Sequence, residues 1–94
     1  MHLALYRFTG DSAQLLAAYD RMSELMPGAD LRICAAQVGS VTVLDACPDR
    51  ATFERFSTSE QFHAALAAVG LPRPDVRALG EIHQVVGSAS GVSS

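Results

Sequence analysis

A predicted β-hairpin brings four chemically active side chains to one face of the chain. Residues 31–38 and 41–47 are rich in apolar and β-branched residues, and they flank Gly39-Ser40. Glycine followed by serine suits a two-residue II′ turn, because only the first central position of that turn needs a positive φ. This turn predicts a register that puts four such residues on one face: Arg32 opposite Cys47, and Cys34 opposite Asp45.

A carboxylate near an imidazole and a phenol can transfer protons to and from a ligand. If the last strand lies beside the first, His83 and Tyr6 join the face that carries Asp45, because alternate residues of a strand share a face. We therefore take Asp45, His83 and Tyr6 as candidate catalytic residues for proton transfer on an acidic carbon or a phenol. A partly dry cavity would raise the pKa of Asp45. The candidate ligand-binding residues on the same predicted face are Arg32, Cys34 and Phe8.

A structural interpretation of these residues stands beside the catalytic one. Arg32 and Asp45 have opposite charges, so they can form an ion pair that fixes the register of a dimer. Cys34 and Cys47 suit small buried hydrophobic positions. The two cysteines lack the clustered partners of a zinc site, so we expect no metal and no cofactor.

The elements that must position these residues can be predicted along the 94-residue chain, which is the length of one domain. They are a strand over 2–8, a helix from Asp11 to about Met26, the hairpin, helices after Asp49 and Thr58, and a strand over 76–86. The order β-α-β-β-α-β predicts an α+β, ferredoxin-like fold with a four-stranded antiparallel sheet and helices on one face. Residues 1–86 form this domain, and the Gly/Ser-rich residues 87–94 are expected to be a disordered tail.

The two faces of the predicted sheet differ in composition. One face is apolar and is expected to lie under the helices; it includes Leu3, Leu5, Leu31, Ile33 and Leu44. The other face mixes the candidate site residues with valines and presents on the order of 400 Å². A partly apolar patch of that size is near the limit for a soluble monomer, so we expect a second copy to cover it as a homodimer.

Charge and hydropathy exclude several other roles. Seven Lys and Arg residues against ten Asp and Glu residues give a net charge of −3. There is no basic stripe to neutralise phosphates, so we expect no nucleic-acid partner. No apolar run approaches the roughly 20 residues that span a bilayer, and the N-terminal residues do not resemble a signal peptide. We therefore expect no membrane partner and a cytoplasmic location.

Three segments resemble a known superfamily. Residues 43–56 resemble the strand-then-helix pattern of the dimeric α+β barrel proteins of the antibiotic-biosynthesis-monooxygenase-like group, in which a short acidic turn precedes a helix with an early Phe. Residues 59–66 resemble the helix that follows. Residues 82–86 resemble the closing strand, which in small actinobacterial-type members often contains a His followed by an amide residue. The resemblance covers residues 2–86.

The resemblance implies a dimeric α+β barrel whose two sheets face each other, with ligand cavities between sheet and helices or inside the barrel. It implies a cofactor-independent monooxygenase, cyclase or isomerase that acts on a small aromatic or polyketide-like molecule. The chain has no Trp, which departs from the haem-degrading members that use one. The alternatives are a non-catalytic ligand-binding or structural homodimer, and a ligand-sensing domain that would need a separate DNA-binding partner.

Overall fold

The computed structural model describes residues 1–26 and 30–87. Its elements are β1 (His2–Thr9), α1 (Ser12–Leu25), β2 (Leu31–Gln37), β3 (Ser40–Cys47), α2 (Arg50–Ser57), α3 (Glu60–Val69) and β4 (Asp75–Glu81). The sheet is antiparallel with the strand order β2-β3-β1-β4. The predicted α+β, ferredoxin-like fold is therefore confirmed. The predicted tail lies outside the described residues, apart from Gly87.

Side-chain caps define where the helices begin. Asp11 caps α1 and Asp49 caps α2, as predicted, because each carboxylate accepts a hydrogen bond from a backbone N–H of the first turn. The cap of α3 is Ser59 and not the predicted Thr58. The Thr58 hydroxyl instead donates to the carbonyl of Glu54 at 2.7 Å, which closes the end of α2.

The β2–β3 hairpin forms with a register two residues away from the predicted one. Arg32 lies opposite Asp45, and the turn residues are Val38 and Gly39. Gly39 has a φ of +86° and no described non-glycine residue has a positive φ, so the positive value falls at the second central position, as in a type II turn. A shift of two residues keeps each hairpin side chain on its predicted face.

The helices cover the face of the sheet opposite to the one that we predicted. The residues buried beneath them from β1 and β3 are His2, Ala4, Tyr6, Phe8, Val41, Val43, Asp45 and Cys47. Both faces are rich in apolar residues, so alternation alone could not choose between them. The large rings of Tyr6 and Phe8 fill the space against helix residues such as Phe62, and this aromatic packing decides the choice.

No helix of the described residues packs on the other side of the sheet, which we call the open face. Its larger side chains on β1, β2, β3 and β4 include Leu3, Leu5, Arg7, Leu31, Ile33, Thr42, Leu44 and Arg77. Ile33 is 50% exposed, and none of these residues belongs to the described core. The open face is apolar at the end near Leu3 and charged at the end near Arg7.

The last strand is shorter than predicted. β4 ends at Glu81, which pairs with His2, the first residue of β1. One further backbone bond follows, from the Ile82 N–H to the Met1 carbonyl at 2.7 Å. Residues 82–87 follow without regular secondary structure, so the predicted continuation of the strand to residue 86 is wrong.

Candidate functional site

A pocket lies between the helix-covered face of the sheet and the three helices. Its volume is about 40 Å³, more than the roughly 10–15 Å³ that a cavity needs to hold one water molecule. Its walls are mainly aromatic and aliphatic, with one carboxylate and one guanidinium among them. The lining residues are Tyr6, Phe8, Tyr19, Met22, Ser23, Met26, Arg32, Val43, Asp45, Phe56 and Phe62.

Helix periodicity builds one wall of the pocket. Tyr19, Met22, Ser23 and Met26 are spaced three and four residues apart, so they share one face of α1 or of its end. The opposite wall comes from α2 and α3, where the rings of Phe56 and Phe62 lie 4.6 Å apart. The sheet supplies the floor.

The charged pair in the floor follows directly from the strand register. Arg32 and Asp45 are partners across β2 and β3, and the Arg32 Nε donates to the Asp45 Oδ1 at 3.4 Å. The Arg32 Nη1 donates to the Met26 carbonyl at 3.4 Å, which links the end of α1 to the sheet. Burial raises the pKa of Asp45, and the neighbouring guanidinium offsets part of that rise.

Tyr6 brings an unsatisfied polar atom to the same floor. Its side chain is 4% exposed, and its hydroxyl has no hydrogen-bond partner within residues 1–26 and 30–87. Burial, followed by the charge of Asp45, raises the pKa of the phenol well above its usual range. The hydroxyl therefore stays protonated and is free to donate to a ligand.

We expect the Tyr6→Phe variant to be as stable as the unaltered protein, or more stable by up to about 1 kcal/mol, because a buried hydroxyl without a partner opposes folding. Urea unfolding measures the difference, with Tyr19→Phe as a control at a half-buried position of the same pocket. A loss above about 1 kcal/mol would show that the Tyr6 hydroxyl is hydrogen-bonded in the free protein.

The structure brings together four of the six residues predicted for the site. Tyr6, Asp45, Arg32 and Phe8 all line the pocket. Cys34 shares their face of the sheet and packs against the core, but it does not line the pocket. Burial, and then the charge of Asp20, raises the pKa of the Cys34 thiol, so it is a protonated packing residue in this position.

His83 does not join the other predicted residues, so the prediction that it shares a sheet face with Asp45 and Tyr6 is wrong. It lies two residues beyond the end of β4 and is exposed. In the β1–β4 register Tyr6 pairs with Val76, which is seven residues away from His83 along the chain. His83 instead borders a shallow groove with Leu3, Leu79 and neighbouring residues.

None of the helix residues that line the pocket was predicted for the site. The spacing of Tyr19, Met22 and Met26 indicates a core stripe of α1, and Phe56 and Phe62 lie on the apolar sides of the two later helices. All five residues do pack in the core or against it. Their role in a site depends on which face of the sheet the helices cover, and the alternation of the strands does not contain that information.

Among the described residues, no group of three or more His, Cys, Asp or Glu side chains is placed to hold a metal ion. No helix in the described part of the chain is long and apolar enough to cross a bilayer.

Comparison with known proteins gives one clear structural match. A crystal structure of a proposed antibiotic biosynthesis monooxygenase from Deinococcus radiodurans superposes with a TM-score of 0.60. The match covers 93% of this chain and 100% of that one, at 11% sequence identity. The two chains share the ferredoxin-like fold. No family model matches this chain, and no curated protein matches it.

The shared fold agrees with the resemblance drawn from residues 43–56, 59–66 and 82–86. At 11% identity the match supports the architecture alone. The chemistry of this chain has to be argued from its own pocket.

Proposed function

We propose that this protein is a small enzyme of the cofactor-independent monooxygenase, cyclase or isomerase kind, and that it acts by proton transfer on a small aromatic or polyketide-like molecule. One observation carries the proposal. A buried carboxyl group of raised pKa and an unpartnered phenol hydroxyl belong to the same aromatic-lined pocket, as Asp45 and Tyr6. Such a base in an apolar pocket is suited to removing a proton from an acidic carbon or hydroxyl.

The charges of the pocket favour a neutral ligand. Before the reaction the carboxylate of Asp45 balances the guanidinium of Arg32. When Asp45 takes a proton from the ligand, the ligand becomes the anion and Arg32 becomes its partner. The net charge of the pocket stays at zero, so no unpaired charge is left in this largely buried site. The Tyr6 hydroxyl can donate a hydrogen bond to the oxygen that gains charge.

The proposal can be tested with phenylacetone, which has one aromatic ring and an acidic benzylic C–H group. We expect the protein in D₂O to accelerate deuterium incorporation at that carbon. Replacing Asp45 with Asn should lower the protein-catalysed rate by about a hundredfold or more, which is the usual contribution of a positioned base. Proton NMR of the benzylic signal measures the rate.

The control is Asp20→Asn, which removes an exposed carboxylate from α1 and should leave the exchange rate unchanged. Equal rates for the unaltered protein and the Asp45→Asn variant would contradict the proposed chemistry. Binding of phenylacetone without catalysed exchange would instead favour a non-catalytic ligand-binding homodimer. The existing bond between Asp45 and Arg32 and the small volume of the pocket favour that second function.

We also propose that a second copy covers the open face, and that the dimer functions in the cytoplasm. The apolar end of this face carries Leu3, Leu5, Leu31, Ile33 and Leu44, and no helix within residues 1–26 and 30–87 packs on it. A contiguous aliphatic surface of this kind is a common mark of an interface. Two copies related by a two-fold axis would bury this surface on both chains and leave no further apolar surface exposed at the interface.

A further inference from the structure

The pocket in this structure is smaller than the ligands proposed for it. Its volume is about 40 Å³, whereas a cavity that accepts benzene has about 150 Å³. A ring can therefore enter only if part of the wall moves. The identity of the moving part decides which ligands are accepted.

Burial divides the wall into a fixed and a movable part. The lining residues buried in the chain are Tyr6, Phe8, Met22, Val43, Asp45 and Phe62. Close packing holds such side chains in single rotamers, so their displacement is costly. The partly exposed lining residues are Tyr19, Ser23, Met26, Arg32 and Phe56.

Phe56 is the less restrained of the two partly exposed rings, Tyr19 and Phe56. Tyr19 and Ser23 belong to the 14-residue helix α1, which is anchored by three buried residues. Arg32 is hydrogen-bonded both to Asp45 and to the carbonyl of Met26. Phe56 lies near the end of the eight-residue helix α2, whose buried residue is Phe53, one turn earlier.

The ring of Phe56 occupies the place that a ligand ring would take. Its centroid lies 4.6 Å from that of Phe62 and 6.4 Å from that of Tyr6, with the Tyr6 ring edge-on to it. These distances are those of favourable aromatic pairs. An aromatic ligand that displaced Phe56 could make the same contacts with Phe62 and Tyr6.

We propose that Phe56 is the residue that sets the size of the accepted ligand. Its ring turns outward to admit a single-ring molecule but blocks a fused two-ring molecule. This specificity role rests on the proposed function, because it assumes that the pocket binds aromatic ligands.

The test compares the binding of phenol and 1-naphthol to the unaltered protein and to Phe56→Ala, by NMR titration. We expect the unaltered protein to bind phenol more tightly than 1-naphthol. The Phe56→Ala variant should bind 1-naphthol at least about tenfold more tightly than the unaltered protein does, since even a single methylene in an apolar pocket changes affinity by that factor. Phenol binding should change much less.

Two further variants keep the test decisive. Phe56→Leu retains more of the fold and should give a smaller gain in the same direction. Phe53→Leu alters the buried neighbour on the same helix, which does not line the pocket, and it should leave the preference for phenol over 1-naphthol unchanged.

An unchanged preference in both Phe56 variants would overturn the role of Phe56 and leave the proton-transfer proposal standing. Binding of neither compound to any variant would overturn the role of Phe56 as well, because the pocket would then not be an aromatic site. Deuterium exchange into phenylacetone that is lost in the Asp45→Asn variant would show that the proton-transfer proposal holds even where the role of Phe56 fails.

Discussion

The Ile33→Glu variant is expected to be a monomer of 10.0 kDa, whereas the unaltered chain should have the mass of two chains. Ile33 is 50% exposed on the open face and lies opposite Leu44. In a dimer its replacement would bury one unpaired carboxylate from each copy. A penalty of about 3 kcal/mol or more, on the order of a hundredfold in affinity, follows from the cost of burying such charges. Light scattering or sedimentation at micromolar concentration measures the mass.

The control variant is Ala17→Glu, which adds the same charge at an exposed position of α1 and should stay dimeric. The folded monomer itself should tolerate glutamate at position 33, because the site is on an edge strand and half-exposed. A monomeric unaltered chain at micromolar concentration would refute the dimer. A dimer that survives Ile33→Glu would place the interface elsewhere.

Replacing Arg32 with Met is expected to destabilise the protein by about 1–3 kcal/mol near neutral pH, the cost of leaving a buried charged group without its partner. The Asp45 side chain is 11% exposed and Arg32 is 24% exposed, so water screens part of the interaction and the full penalty of a deeply buried pair does not apply. Methionine keeps the apolar stem, so the loss reports mainly on the charge.

The pH dependence of this loss has a definite sign. Burial raises the pKa of Asp45 above its usual 3.8, and Arg32 opposes that rise. Between the usual and the raised pKa the folded state keeps a proton that the unfolded chain has lost, so stability falls as the pH rises through this range. Without Arg32 the pKa rises further. The destabilisation of Arg32→Met should therefore shrink as the pH is lowered toward the usual pKa of aspartate.

Urea unfolding at several pH values measures this dependence. The double variant Arg32→Met/Asp45→Asn is the control, because it removes the unpaired charge and should recover part of the stability lost by Arg32→Met alone. A loss that is the same at all pH values, or that the double variant does not reduce, would show that Arg32 acts through packing rather than through Asp45.

The sequence was sufficient to predict the sheet and its helices because those depend on local signals. Asp11 and Asp49 cap helices through contacts within one turn, and the alternation of residues 31–47 groups side chains by face whatever the exact turn. The hairpin turn itself was misplaced, because Gly39 can supply the positive φ at either central position of a tight turn, so the glycine alone does not choose between the two registers.

The candidate site was predicted only in part, for reasons of tertiary packing. Four predicted residues share one face of the sheet, so the alternation along each strand was enough to group them. They are Tyr6, Asp45, Arg32 and Phe8. The choice of face was wrong, because both sides of the sheet are apolar and the aromatic residues of α2 and α3 decide between them. His83 was misplaced because β4 ends at Glu81, two residues before it, and the alternation of residues 76–86 does not show where the strand ends.

A crystal structure of the protein soaked with 4-bromophenol would test most directly whether the pocket beneath the helices is the ligand site. The bromine gives an anomalous signal that locates the ring independently of the rest of the density. We expect the signal between Tyr6, Phe56 and Phe62, with the phenol oxygen toward Asp45. A signal only on the open face, or only in the groove beside His83, would contradict the site proposed for this protein.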